Sequence, residues 1–107
     1  MNKFARFSGT PDANEKEIIS ELERRGAMVI VIDRPVDLVV GYLGVWVFVE
    51  IKNGPRARLR KSQKSFLQQA TAQGLPVLVM TDLDDCDTFF PEIAETAPVR
   101  SHLLDVL

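Results

Sequence analysis

With 107 residues, 46% of them hydrophobic and 26% charged, the chain has the length and balance of one globular domain, which excludes a second independent core and intrinsic disorder. A single cysteine, Cys86, excludes a disulfide framework and a multi-cysteine zinc site, and fits a buried, idle thiol in a reducing compartment. The formal net charge of −2 excludes a coating basic protein of the histone kind. No run approaches the roughly eighteen apolar residues of a membrane span, and MNKFARFSGT carries charge without an apolar leader segment, so the cytoplasm is the expected compartment.

The predicted elements run as follows. Residues 1–11 read as a loose arm. Asp12 with Glu15 three positions on forms a capping-box pattern, and Ile18, Ile19 and Leu22 then recur at helical spacing until Gly26, giving a helix of about three turns. MVIVI, residues 28–32, is β-branched, too short for a helix and bounded by Asp33, Arg34 and Pro35, so it is a strand. VDLVVGY and VWVFVEIK follow, separated by Leu43 and Gly44, and form a hairpin. The NGP at 53–55 ends that strand. A basic loop leads to Ser62, the expected N-cap of a second helix that carries Phe66, Leu67 and Ala70 on one face and stops before Gly74. LPVLVM, residues 75–80, is the fourth strand, and residues 82–107 read as an acidic tail with one weak helix. The order helix, three strands, helix, strand predicts a single-domain α/β sandwich with a mixed four-stranded sheet, because the last strand returns through a helical crossover and can pair in parallel.

Local geometry becomes specific in the hairpin. A turn centred on Leu43 and Gly44 makes the numbers of facing residues sum to 87, so Gly41 faces Trp46, Val39 faces Phe48 and Asp37 faces Glu50. Directly opposed residues have Cβ atoms roughly 4.5–5.5 Å apart, where two carboxylates repel unless something neutralises them. Mg²⁺ or Mn²⁺ would do so, since hard divalent cations favour carboxylate and water oxygens. Lys52 follows Glu50 by two and shares its face, where an ammonium can orient an attacking water or steady charge on a phosphate; Val47, Val49 and Ile51 point the other way, into the core.

A third acid comes from the first helix, where Glu15 lies at the centre of the Ile18, Ile19, Leu22 stripe. An acid there is costly unless paired or metal-bound; its other reading is the N3 partner of Asp12 in the capping box, and both roles can coexist. Gln63 is likewise centred on the second helix's apolar stripe, although a first-turn position is equally compatible with solvent. Charge is uneven along the chain: residues 52–64 hold Lys52, Arg56, Arg58, Arg60, Lys61 and Lys64 with no acid, whereas from Asp82 onward seven acids face only Arg100. A cationic lip on an acidic body suits a phosphate-bearing substrate, and also suits a plain solvated helix face. His102 has no metal-spaced partner and reads as a surface residue. Trp46 is expected to pack over Gly41 as core, the alternative being an exposed ring that stacks on a base. No glycine-rich phosphate loop or nucleophilic triad is present, which disfavours ATP-driven and acyl-transfer chemistry.

An Asp opening one hydrophobic strand, Glu-x-Lys closing the next, an acidic helix before and a basic segment after together resemble the PD-(D/E)XK nuclease superfamily, and within it the small stand-alone VRR-NUC type domains common in phages and prophages. The similarity runs from about residue 12 to residue 82. It rests on Asp12-Ala13-Asn14-Glu15, ERRGAMV, Val36-Asp37-Leu38-Val39-Val40-Gly41, Val49-Glu50-Ile51-Lys52-Asn53-Gly54, the Arg/Lys run with Ser62-Gln63, and Gly74-Leu75-Pro76-Val77-Leu78-Val79. The resemblance implies a restriction-endonuclease-like core, a metal held by Asp37, Glu50 and the Ile51 carbonyl, Lys52 acting on the nucleophilic water, and Glu15 and Gln63 completing the site. Val36 stands where the family has proline, with Pro35 one place earlier, and Lys61-Ser62 stands where Ser-Pro or Thr-Pro often precedes the Gln; neither departure removes a ligand.

The expected function is therefore that of a Mg²⁺- or Mn²⁺-dependent endonuclease acting on DNA, branched or structured DNA included, with Arg56, Arg58, Arg60, Lys61 and Lys64 on the phosphate backbone. One site cuts one strand, so a homodimer would be needed for concerted cutting of two. The rivals are a catalytically silent nucleic-acid-binding subunit of the same fold, which has no use for opposed carboxylates, and a plain interaction domain, against which burial of Glu15 would count.

Overall fold

The computed structural model describes residues 13–52 and 58–96. Helix α1 (Ala13–Arg24) places Ile18, Ile19 and Leu22 on one buried stripe, and Glu21 pairs outward with Arg24 and Arg25 at i,i+3 and i,i+4 spacing. Asp12, the expected cap, lies outside the described residues. Gly26 ends the helix with φ of 99°, a left-handed conformation open to glycine at little cost.

Strands β1 (Met28–Val31), β2 (Leu38–Tyr42) and β3 (Val45–Ile51) form an antiparallel meander, and β4 (Val77–Met80) pairs in parallel with β3, in the order β1-β2-β3-β4. Leu43 and Gly44 turn the hairpin with φ of 50° and 81°, the doubly left-handed geometry that matches strand twist in a two-residue loop. The β2–β3 register runs from Tyr42 opposite Val45 to Leu38 opposite Val49, as the hairpin reading predicts. Trp46 does lie over Gly41, where an added Cβ would come within 2.9 Å of the indole, but the ring is half exposed rather than in the core, because no described helix covers that end of the face.

The alternation within β3 separates two layers. Val47, Val49 and Ile51 join Leu38, Val40 and Met80 in the main core beneath α1 and helix α3 (Asp85–Thr96). Phe48 and Glu50 face the other way, toward helix α2 (Lys61–Ala72), where the Phe48 and Phe66 rings meet edge to face at 5.2 Å. The structure thus has the expected α/β sandwich with a mixed four-stranded sheet.

Two expectations need correction. Ser62 is not the cap of α2: the helix starts at Lys61, Arg60 is the N-cap, and the Arg60 N–H donates to Gln63 Oε1 at 2.9 Å, so Gln63 is the N3 residue of a capping box and Ser62 lies inside the first turn. The helix expected in the acidic segment is not weak: as far as residue 96 the segment is described, and it holds the twelve-residue α3. In α3 the acids point outward while Cys86, Phe89 and Ile93, spaced three and four apart, close the core despite Pro91 inside the helix. Arg25 fastens it, donating to Asp87 at 2.7 Å with its guanidinium over the Phe90 ring. Cys86 is fully buried as expected, and burial pushes its thiol up to about 11. Among the described residues no helix is long and apolar enough to cross a membrane.

Because Phe89 is enclosed in the core, Phe89→Ala should cost about 3–5 kcal/mol in denaturant unfolding. A loss under about 1 kcal/mol would show that α3 is not part of the cooperative core.

Candidate functional site

The site forms where the carboxyl ends of β3 and β4 meet the first turns of α1 and α2, the end of an open α/β sheet at which ligands commonly bind. Asn14 brings α1 to this end: its Nδ2 donates to the carbonyls of Lys52 at 3.2 Å and Thr81 at 2.9 Å, spanning both strands. Glu15, the next residue, is thereby buried at 5% exposure on the same stripe as Ile18 and Leu22. That burial excludes a merely solvated acid.

Asp37 lies one residue beyond the last β2–β3 pair, and its Oδ2 accepts the Ile51 N–H at 2.8 Å. Its carbonyl accepts the N–H groups of Ile32 at 2.9 Å and Asp33 at 3.2 Å, which closes the β1–β2 turn; within that turn Asp33 has φ of 69° and the Arg34–Pro35 peptide is cis. The turn folds Asp33 back toward Asp37. One carboxylate oxygen from each of Glu15, Asp33 and Asp37 then lies within 4.8 Å of the other two.

Glu50 is the fourth acid. It is buried, and its Oε2 accepts Gln63 Nε2 at 2.8 Å, while Oε1 is buried with no hydrogen-bond partner among the described residues. Burial first, and then the Asp37 carboxylate alongside, push the Glu50 carboxyl up to about 7; the Arg60 charge pulls weakly the other way. A buried oxygen with no donor aimed at it, facing further carboxylates, is satisfied by a shared proton or by a cation. The donors are all hard oxygens, which suits Mg²⁺ or Mn²⁺ and not a soft metal.

Of the residues expected at the site, the structure brings together Glu15, Asp37, Glu50 and Gln63, and sets Ile51 against Asp37 through its N–H. Gln63 is buried at 4% exposure, not solvated as a first-turn residue can be, because its amide bridges the α2 cap to Glu50. Lys52 is half-buried one pleat beyond Glu50, its N–H continuing the ladder to the Met80 carbonyl at 2.9 Å. Arg58, Arg60, Lys61 and Lys64 are exposed at the start of α2, and Arg56 lies outside the described residues. Asp33 was not anticipated. Its only sequence signal is an acid directly after a β-branched strand and before Arg-Pro, a place where left-handed backbone favours Asp or Asn.

No family model matches the chain, and no curated protein or solved structure does.

Two measurements follow from this geometry. In metal-free folded protein Glu50 keeps its proton up to about pH 7, whereas the unfolded chain loses it near the ordinary 4.5, so the folded state binds the extra proton between those values. Stability should then fall as pH rises across that window and level off above it, and Glu50→Gln should remove the slope in thermal melts with chelator; a wild-type melting temperature that holds constant or rises would contradict the site electrostatics. At Asp37 the side chain both carries charge and caps a backbone donor. Asp37→Asn keeps an oxygen for the Ile51 N–H and should melt at or above wild type without metal, whereas Asp37→Ala leaves that donor unmet and should lose about 1–3 kcal/mol. Equal melts for the two variants would show that the hydrogen bond does not matter.

Proposed function

We propose that the protein is a divalent-cation-dependent endonuclease that hydrolyses phosphodiester bonds in DNA, related to the PD-(D/E)XK superfamily and its small VRR-NUC type domains. The observation that carries this reading is the buried Glu50 carboxylate beside half-buried Asp37, with Glu50 Oε1 unpartnered among the described residues, at the strand end that also carries Lys52. Opposed carboxylates destabilise a fold that has no cation to hold, and neither a silent binding subunit nor an interaction domain needs them.

The Glu15, Asp33 and Asp37 carboxylates, whose oxygens gather within 4.8 Å of one another, would hold Mg²⁺ or Mn²⁺, with Glu50 beside Asp37 and the Ile51 carbonyl at the same strand end as further oxygen donors. Such an ion supplies a lowered water pKa and neutralises charge developing on the phosphate. The protein's own groups do the rest. Gln63 fixes the Glu50 carboxylate by donating to Oε2, so that Oε1 stays turned to the site. The Asp37 carboxylate is fixed by the Ile51 N–H. Lys52, two residues past Glu50 at the same strand end, would orient the attacking water, whose oxygen forms the new bond to phosphorus as the bond to the leaving oxygen breaks, and would steady negative charge on the scissile phosphate. Arg58, Arg60, Lys61 and Lys64 lie beside this end and engage the backbone without reading bases.

The test is nicking of supercoiled plasmid and cleavage of branched oligonucleotides with Mg²⁺, Mn²⁺ or chelator. Cleavage should require the cation. Lys52→Ala should reduce it by about 10²–10⁴-fold while cation binding by calorimetry persists, and Asp37→Asn should weaken both. Cation binding without cleavage of any DNA would favour the silent subunit instead.

A further inference from the structure

Next to the carboxylates a cleft of about 250 Å³ opens between the β1–β2 turn and the start of α2, and the described residues lining it are Arg34, Pro35, Arg60 and Ser62. We infer that this cleft is a discrete phosphate site, in which Arg34 and Arg60 grip a phosphate from two sides with the Ser62 hydroxyl between them.

Three observations carry the inference. The described lining comprises two arginines, a serine and a proline and no acidic residue, although the chain has more acids than bases and Asp33, next to Arg34, belongs to a cluster of three carboxylates. Both arginines are exposed and neither is ion-paired among the described residues, in contrast with Arg24 and Arg25, which are bound to Glu21 and Asp87. Two arginines on the walls of one cleft, with no acidic residue in its described lining, favour an anion between them, and the planar fork of a guanidinium matches phosphate oxygens two at a time. Ser62 sits in the first turn of a twelve-residue helix, whose unsatisfied amides and dipole add to the same preference.

The cleft and the carboxylates share their walls. Arg34 follows Asp33 on one turn, so adjacent residues serve an anion site and a cation site. On the other wall the Arg60 N–H holds Gln63, and Gln63 holds Glu50. A strand whose scissile phosphate lies at the carboxylates therefore presents a neighbouring phosphate to the cleft, which makes Arg34 and Arg60 positioning residues for the substrate. That placement rests on the nuclease reading; the phosphate site itself does not.

The experiment is titration of ¹⁵N-labelled full-length protein with inorganic phosphate in excess chelator, at ionic strength held constant with chloride, following the Arg34 and Arg60 Nε–H signals and the Ser62 amide. Saturable shifts at these three groups are expected, with affinity reduced roughly tenfold or more in Arg34→Gln and only partly restored in Arg34→Lys, since lysine lacks the fork. The remaining amide spectrum of each variant reports that the fold is intact. Shifts that do not saturate, that spread evenly over Lys61 and Lys64, or that survive in Arg34→Gln would overturn the site. Saturable phosphate binding by a protein that cuts no plasmid would sink the nuclease reading and leave the cleft assigned as a phosphate site.

Discussion

Asp37 is the residue on which the rest of the arrangement depends. Its carbonyl closes the β1–β2 turn through Ile32 and Asp33, and its side chain caps the Ile51 N–H where the β2–β3 ladder has run out. Each bond is worth only about 1 kcal/mol net. Together they determine where Asp33 and Arg34 lie relative to the end of β3, and so they set the distance between the acids and the flanking cleft. A carboxylate committed to a backbone donor also has fewer orientations, which is how a short strand end can present a preorganised oxygen.

The same residue makes the site electrostatically expensive. Burial and the Asp37 charge raise the Glu50 carboxyl to about 7, so below neutral pH the folded state favours a proton on Glu50, and a cation beside it would take the proton's place. Gln63 contributes one hydrogen bond to Glu50 and leaves the second oxygen without a donor among the described residues. Two donors would have relaxed the site and stabilised the fold. Retaining the orphan is the kind of local compromise that active sites show. The apolar side supports it: α1 and α3 close the core beneath β3, and the Arg25 contacts with Asp87 and Phe90 tie the acidic segment to the basic end of α1.

Legibility followed the range of the forces involved. The hairpin register could be read because a two-residue turn and period-two alternation are local, and a slip of one residue would have sent Val47 and Val49 to the wrong face. Glu15 could be placed against the core because its position on the helical stripe is a matter of 3.6-residue periodicity. The α2 cap was misread, since serine is the better capper by local preference and only the pull of Glu50 on Gln63 favours a start at Lys61. Helix α3 was undervalued because its core residues are few and spread among acids and a proline, so no short window shows the stripe that packing reveals.

The sequence by itself therefore determined the order of elements, the mixed sheet, the β2–β3 register and the burial of Glu15 on the α1 stripe, because each follows from a local turn, from strand alternation or from helical periodicity. What only the tertiary structure decided is the addition of Asp33 to the acidic cluster, the bridge from Arg60 through Gln63 to Glu50, and the pairing of Arg34 with Arg60 across one cleft. These join a turn, a strand end and a helix start separated by up to about thirty residues. No periodicity links them; their meeting depends on how α2 crosses back over the sheet and on the closure of one turn by the Asp37 carbonyl, and both are settled by packing and burial rather than by local preference.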